Sequence, residues 1–245
     1  MRDFKDGHRN KFLKTFCLIS LIAGLQIPAN GEIFKTFVAE FIREYSTQSK
    51  QEILKGKLFY EADSGKLLIE VDTPIHQWMI LQGNETLIYY PETMQAFRIR
   101  SKAEAVMPFF KVILGCLKED FGLSQQGYTL AHYEKKGSVL LSTWSPPPQL
   151  SKLIGNAVLE CQTNKIMRIE YHTPDGKLLS QAILRQHVFF SGSYFPLEVS
   201  ISYKTNQEAR AEKVVYAHPQ FNAPLPGDIR EFKIPPGAKV KDIEW

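Results

Sequence analysis

Between residues 56 and 100 short apolar runs alternate with turn-forming residues. The runs cover 56–60, 66–72, 76–82, 86–90 and 94–100. Between them stand Ser64-Gly65, Thr73-Pro74, Gly83-Asn84 and Pro91-Glu92, residues that interrupt strands for distinct backbone reasons. The runs are rich in β-branched and aromatic residues, and the breaks are too short to carry crossover helices. This spacing predicts an antiparallel meander of about five strands. In 66–72, Leu67, Ile69 and Val71 share one face and Lys66, Glu70 and Asp72 the other, so that strand is half-buried. The runs 77–81 and 86–90 are apolar on both faces, which requires apolar cover on each side of the sheet there.

The pattern changes on either side of this meander. In 32–52, Ile33, Phe34, Phe37, Val38, Phe41, Ile42 and Tyr45 fall at helical spacing, with Glu40, Arg43, Glu44 and Lys50 off the stripe. This predicts an amphipathic helix. A second helix is predicted over 103–118 from Val106, Phe109, Phe110, Ile113, Leu114 and Leu117, with Pro108 in its first turn. Strands resume at 128–134 and 138–144, then at 157–162, 165–171, 178–190, 197–203 and 212–217, and 229–234 is expected to close the sheet. The fold class expected is α+β, mainly β. It is a curved antiparallel sheet of about 10–11 strands, with the N-terminal helix and one or two others covering its concave face. So long a sheet curls into a half-open barrel, and helices laid against it leave an apolar hollow.

Residues 1–31 have the layout of a secretory signal. Arg2, Lys5, Arg9, Lys11 and Lys14 precede a short apolar stretch from Phe16 to Leu25, and Ala29-Asn30-Gly31 offers small residues for cleavage. The apolar stretch is well short of the ~20 residues that span a bilayer. Cys17 lacks the small residue a lipobox needs before it. The expected organisation is a signal peptide at 1–31, a single domain at 32–245 and a periplasmic location. Of the chain's net charge of +4, residues 1–31 carry +3. The remainder is near neutral, which argues against a nucleic-acid partner, since such binding needs a clustered basic face. Cys116 and Cys161 could pair in an oxidising compartment or stand as small buried hydrophobes.

Motifs for catalysis are lacking. His76, His132, His172, His187 and His218 are too far apart in sequence for a short-range metal pair. There is no H-E-x-x-H, G-x-S-x-G, P-loop or G-x-G-x-x-G. His76 and Asp72 flank a turn, an arrangement more typical of a solvated turn than of an acid–base pair. Arg98 and Arg100 could meet an acidic partner or a lipid head group, or form a solvated strand face. The chain reads as a non-enzyme without cofactor or metal.

Several of these spacings also occur together in a known family. Gly56-x-Leu58, Gly65-Lys66, Thr73-Pro74, Trp78-Met79-Ile80-x-x-Gly83, Leu87-x-Tyr89-Tyr90-Pro91 and Gln95-x-Phe97 resemble the periplasmic carriers that move lipoproteins to the outer membrane, the LolA-type family. Phe232-x-Ile234-Pro235-Pro236-Gly237-x-Lys239-Val240 is similar to that family's ending, and Ile169-x-Tyr171 with Asp175-Gly176-Lys177 to one of its turns. The resemblance implies a soluble carrier for lipoprotein acyl chains, with acylated lipoproteins, an inner-membrane lipoprotein-release transporter and an outer-membrane acceptor as partners, and a monomeric state. It also implies a short lid piece, expected at 149–154. Strand alternation and the resemblance together select Phe37, Phe41, Leu67, Ile69, Val71, Trp78, Ile80, Leu87, Tyr89, Phe109, Phe110 and Ile113 as acyl-binding residues. Where the family has Arg-Pro after its first strand glycine, this chain has Glu61-Ala62-Asp63, so the family's lid-holding arginine has no counterpart here. An envelope sensor or regulator using the same lipid-binding half-barrel is the alternative.

Overall fold

A computed structural model describes residues 34–100, 112, 115–118, 120–204 and 209–244. The chain divides into 1–31 and 32–245, and every described residue lies in the second unit. Its strands are β1 (Thr36–Ser46), β2 (Gln51–Glu61), β3 (Lys66–Thr73), β4 (Gln77–Gln82), β5 (Glu85–Tyr90), β6 (Gln95–Arg100), β7 (Thr129–Lys136), β8 (Val139–Ser145), β9 (Ala157–Gln162), β10 (Lys165–His172), β11 (Leu178–Phe190), β12 (Ser193–Lys204), β13 (Ala209–Phe221) and β14 (Lys239–Glu244). They form one 14-stranded sheet in the order β14-β6-β5-β4-β3-β2-β1-β13-β12-β11-β10-β9-β8-β7. The sheet is open and curved rather than a closed barrel.

This order has a simple origin. Short turns fold β1 to β6 into one antiparallel meander and β7 to β13 into another. The two join where β1 pairs with β13, with Phe41 opposite Tyr216 and Tyr45 opposite Glu212. The Thr163-Asn164 link between β9 and β10 has both residues at positive φ, 49° and 61°, as a tight hairpin with right-handed strand twist requires. The chain's last strand is the exception: β14 lies parallel to β6.

The N-terminal segment corrects the sequence expectation. The helix predicted over 32–52 is instead β1 and the start of β2. Phe37 and Phe41 are four residues apart and satisfy both a helical and a strand period. The deciding residues are Ala39, buried with them, and Ile42, which is exposed although the helical stripe would bury it. Thr, Phe, Val, Ile and Tyr favour the pleated backbone, and β2 and β13 pair on both sides. The helix expected over 103–118 lies largely outside the described residues, including Phe109, Phe110 and Ile113. The described helical elements are Gly227–Arg230 and the 3-10 turns Pro91–Thr93 and Pro148–Leu150, and Val112, Gly115 and Cys116 are also helical. The turn at Pro148–Leu150 occupies part of the expected lid piece. The strand expected at 229–234 is absent: its first residues belong to Gly227–Arg230 and the rest run as turn and coil.

The two sheet faces are covered differently. The inner face carries the main core, built from Phe37, Phe41, Leu58, Leu67, Ile69, Val71, Met79, Leu81, Leu184, Phe195, Val199 and Val214. Val112, Cys116, Leu117, Phe121, Leu123 and Tyr128, between β6 and β7, pack against it. The outer face carries a smaller cluster of Phe59, Leu68 and Leu225, joined by Val38, Trp78, Ile80, Ile229 and Phe232. There the segment between β13 and β14 lies across the first meander. This supplies the two-sided apolar cover that the composition of β4 and β5 requires.

Candidate functional site: the inner face of the sheet

The inner face changes character along β1. At its first end, Phe34, Phe37, Phe190, Phe195 and Phe221 stack in mutual contact, with Phe37 and Phe195 4.4 Å apart and Phe34 and Phe221 4.5 Å apart between ring centroids. Aromatic residues alternating inward on β1, β12 and β13 dictate this, since adjacent antiparallel strands bring same-face residues together. This end is filled by side chains.

Midway stand Phe41 and its cross-strand partner Tyr216. The aliphatic residues Leu58, Ile69, Val199 and Val214 flank them at no more than 1% exposure. Tyr216 is itself 3% exposed, and its hydroxyl has no hydrogen-bond partner. Burial holds that hydroxyl far above the usual tyrosine range, with the Cys116 thiol adding to the effect.

The far end is polar. Arg43 of β1 pairs with Glu212 of β13, Nε to Oε2 at 2.9 Å, with side chains 18% and 5% exposed. The guanidinium also lies over the Tyr45 ring, 5.4 Å from its centroid. The Tyr203 hydroxyl is buried without a partner, and burial, followed by the Glu212 carboxylate, raises its pKa. The face therefore runs from phenylalanine through aliphatic to a charged, hydroxyl-bearing end.

The residues selected from sequence do not all share this face. Phe37, Phe41, Leu67, Ile69 and Val71 do, and each is nearly fully buried. Cross-strand register places the β4 and β5 members on the opposite side. Ile69 pairs with Met79 and Leu67 with Leu81, so Trp78 and Ile80 point outward. Trp78 pairs with Tyr89 and Ile80 with Leu87, so these two point outward as well. Met79, Leu81 and Ile88 take the inner positions. The reason is a one-residue difference of phase in strands apolar on both faces, where alternation gives no signal. Trp78 stacks on Phe232 with centroids 4.5 Å apart. Lys66 Nζ donates to the carbonyl oxygens of Arg230 and Phe232 at 3.0 and 3.4 Å, and Arg230 pairs with Glu61 at 3.1 Å. These contacts seat the C-terminal segment.

Other sequence candidates resolve into local pairings. His76 Nδ1 lies 3.1 Å from Glu92 and its Nε2 3.8 Å from Glu70, so its carboxylate neighbours are not Asp72. Arg98 and Arg100 meet Glu85 and Asp242 on neighbouring strands, the solvated-face reading. Cys116 and Cys161 are free thiols, both pushed up in pKa by burial. Among the described residues no group of three or more His, Cys, Asp and Glu side chains could hold a metal ion.

No protein-family model matches the chain, and no curated protein matches its sequence. Solved structures do match its fold. A LolA superfamily protein from Nitrosomonas europaea superposes with a TM-score of 0.57 at 12% identity, over 80% of this chain and 89% of that one. A DUF1329 family protein from Desulfovibrio piger gives 0.59 at 13%, over 81% and 90%. A domain from Vibrio parahaemolyticus, named for outer membrane lipoprotein sorting, gives 0.58 at 14%, over 80% and 89%. The chain has a LolA-type fold.

Proposed function

We propose that this protein is a periplasmic carrier that holds lipoprotein acyl chains against the inner face of its sheet and shuttles them from the inner to the outer membrane. The observation that carries the reading is the graded inner face, apolar over most of its length and polar at one end, on a fold shared with a LolA superfamily protein and a domain named for lipoprotein sorting. An amphipathic guest matches that gradient: alkyl chains lie along the aliphatic middle and the polar portion emerges beside Arg43 and Glu212. Each methylene removed from water contributes about 0.8 kcal/mol, so partial enclosure of a long chain suffices for strong retention. No step of this role requires bond making by the protein, which acts as a non-enzyme. Residues 1–31 are the export signal, and the working form is a monomer. Acylated lipoproteins, an inner-membrane releasing transporter and an outer-membrane acceptor are its partners.

Two measurements test this. Native mass spectrometry of protein purified from the envelope is expected to show co-purifying acylated species. Depletion in the source cell is expected to strand lipoproteins in the inner membrane. Intact lipoprotein sorting after depletion, accompanied by a changed envelope signalling output, would replace the carrier with the sensor reading.

A further inference from the structure

Tyr216 poses a chemical problem that its surroundings do not solve. Its hydroxyl is buried on the inner face with no hydrogen-bond partner, and among the described residues its ring contacts are with Phe195 and Phe37, at 5.5 and 6.4 Å between centroids. Cys116, from the segment that packs against the sheet, lies near enough to influence this hydroxyl and is equally buried. Leaving a buried hydroxyl unpaired is unfavourable, and a phenylalanine would fill the same space without that cost. The second orphan hydroxyl of this face, Tyr203, stands opposite Arg210 on β13. That position is six residues from Tyr216, or about 20 Å along the strand, and lies at the polar end. Tyr216 is thus a lone donor set deep among hydrocarbon.

We infer that Tyr216 is the hydrogen-bond donor for a carbonyl oxygen embedded in an otherwise apolar guest, the ester or amide carbonyl of an acyl group. The inference rests on the acyl-binding reading and narrows it. The site distinguishes acyl chains, which carry a carbonyl at the chain root, from alkyl chains of the same length that do not. The hydroxyl suits this task because a tyrosine is protonated, and so able to donate, throughout the physiological pH range. A carbonyl accepts without bringing a charge into the apolar interior, whereas a carboxylate would bring one at high desolvation cost.

The test compares two probes that differ only at this atom: 1-monopalmitoylglycerol, an ester, and 1-O-hexadecylglycerol, its ether counterpart. Binding of each to the purified protein is measured by displacement of a fluorescent lipid probe. The ester is expected to bind about tenfold more tightly than the ether, the scale of one buried neutral hydrogen bond. In Tyr216→Phe the two affinities are expected to converge to within about twofold. Thermal unfolding of the unliganded proteins gives an independent readout: Tyr216→Phe is expected to melt at or above the wild-type temperature, since only an unpaired hydroxyl is lost. Equal ester and ether affinity in the wild type overturns the inference, as does an ester preference that survives in Tyr216→Phe. A lowered melting temperature of unliganded Tyr216→Phe also overturns it, by showing that the hydroxyl already has a partner. If neither probe binds, the acyl-binding reading itself fails, and the inference falls with it.

Discussion

The Arg43–Glu212 pair offers a sharp test of how the polar end of the inner face is built. Glu212 is 5% exposed and Arg43 18%, so both charges are largely withdrawn from water. Breaking a largely buried ion pair by removing one partner typically costs about 3–5 kcal/mol. Arg43 keeps some solvent contact, so Glu212→Ala is expected at the lower end, about 3 kcal/mol. For a domain of this size each kcal/mol lowers the melting temperature by about 2–4 °C, giving a drop of about 6–12 °C. Glu212→Gln retains an acceptor for Arg43 Nε and is expected to cost about half as much. The double replacement Arg43→Met with Glu212→Leu removes both charges while keeping volume. It is expected within about 1 kcal/mol of wild type, because neither desolvation nor attraction remains. Urea unfolding, with midpoints compared at unchanged slope, measures all three. The reasoning is refuted if Glu212→Ala costs less than about 1 kcal/mol, or if the double variant is as unstable as the single one.

Three further outcomes follow from particular contacts. A Cβ on Gly56 would stand 1.9 Å from the carbonyl oxygen of Glu70, at a register shift between β2 and β3. Gly56→Ala is therefore expected to lose about 1–3 kcal/mol in the same urea assay, and an unchanged midpoint would contradict the close approach. Phe232→Ala removes the ring stacked on Trp78 and is expected to speed tryptic cleavage at Arg230 and Lys233 several-fold with little effect at sites within the sheet; equal rates would show that the stack does not seat this segment. Burial holds the His187 imidazole below its ordinary pKa, with nearby Lys165 contributing and the bond to the Ile166 carbonyl opposing. The folded state thus gives up this proton more readily than the unfolded chain. The resulting stability is present above the unfolded pKa near 6.5 and is lost as pH falls through the lower folded value. An NMR titration is expected to place His187 below 6.5, and a value above it would reverse the sign.

The comparison of sequence and structure turns on period and phase. Phe37 and Phe41 fit a helix as well as a strand, and only the pairing of β1 with β2 and β13 decides between them. Trp78, Ile80, Leu87 and Tyr89 stand in strands apolar on both sides, so nothing local tells inward from outward. A cue was available in the final stretch: Phe232 belongs to the second patch of family resemblance, and an exposed-looking aromatic far along the chain needs a partner. Its partner is Trp78, in the first patch. Tyr216 and the Arg43–Glu212 pair were invisible as functional candidates, because 169 positions separate the ion-paired residues and a lone tyrosine in a strand looks like ordinary packing.

The sequence by itself determined the meander, because turn residues and alternating hydrophobicity act over a few neighbouring positions. Thus the break at Gly83-Asn84, the hairpin at Thr163-Asn164 and the shared face of Leu67, Ile69 and Val71 could all be read directly, whereas the other face of that strand, expected to be wet, buries Leu68. Only the tertiary structure decided which face of each doubly apolar strand looks inward, that β1 closes against β13, and that β14 returns parallel to β6. Those outcomes depend on pairings between residues more than a hundred positions apart. Their energies come from the burial of whole faces, which no local window of the chain contains.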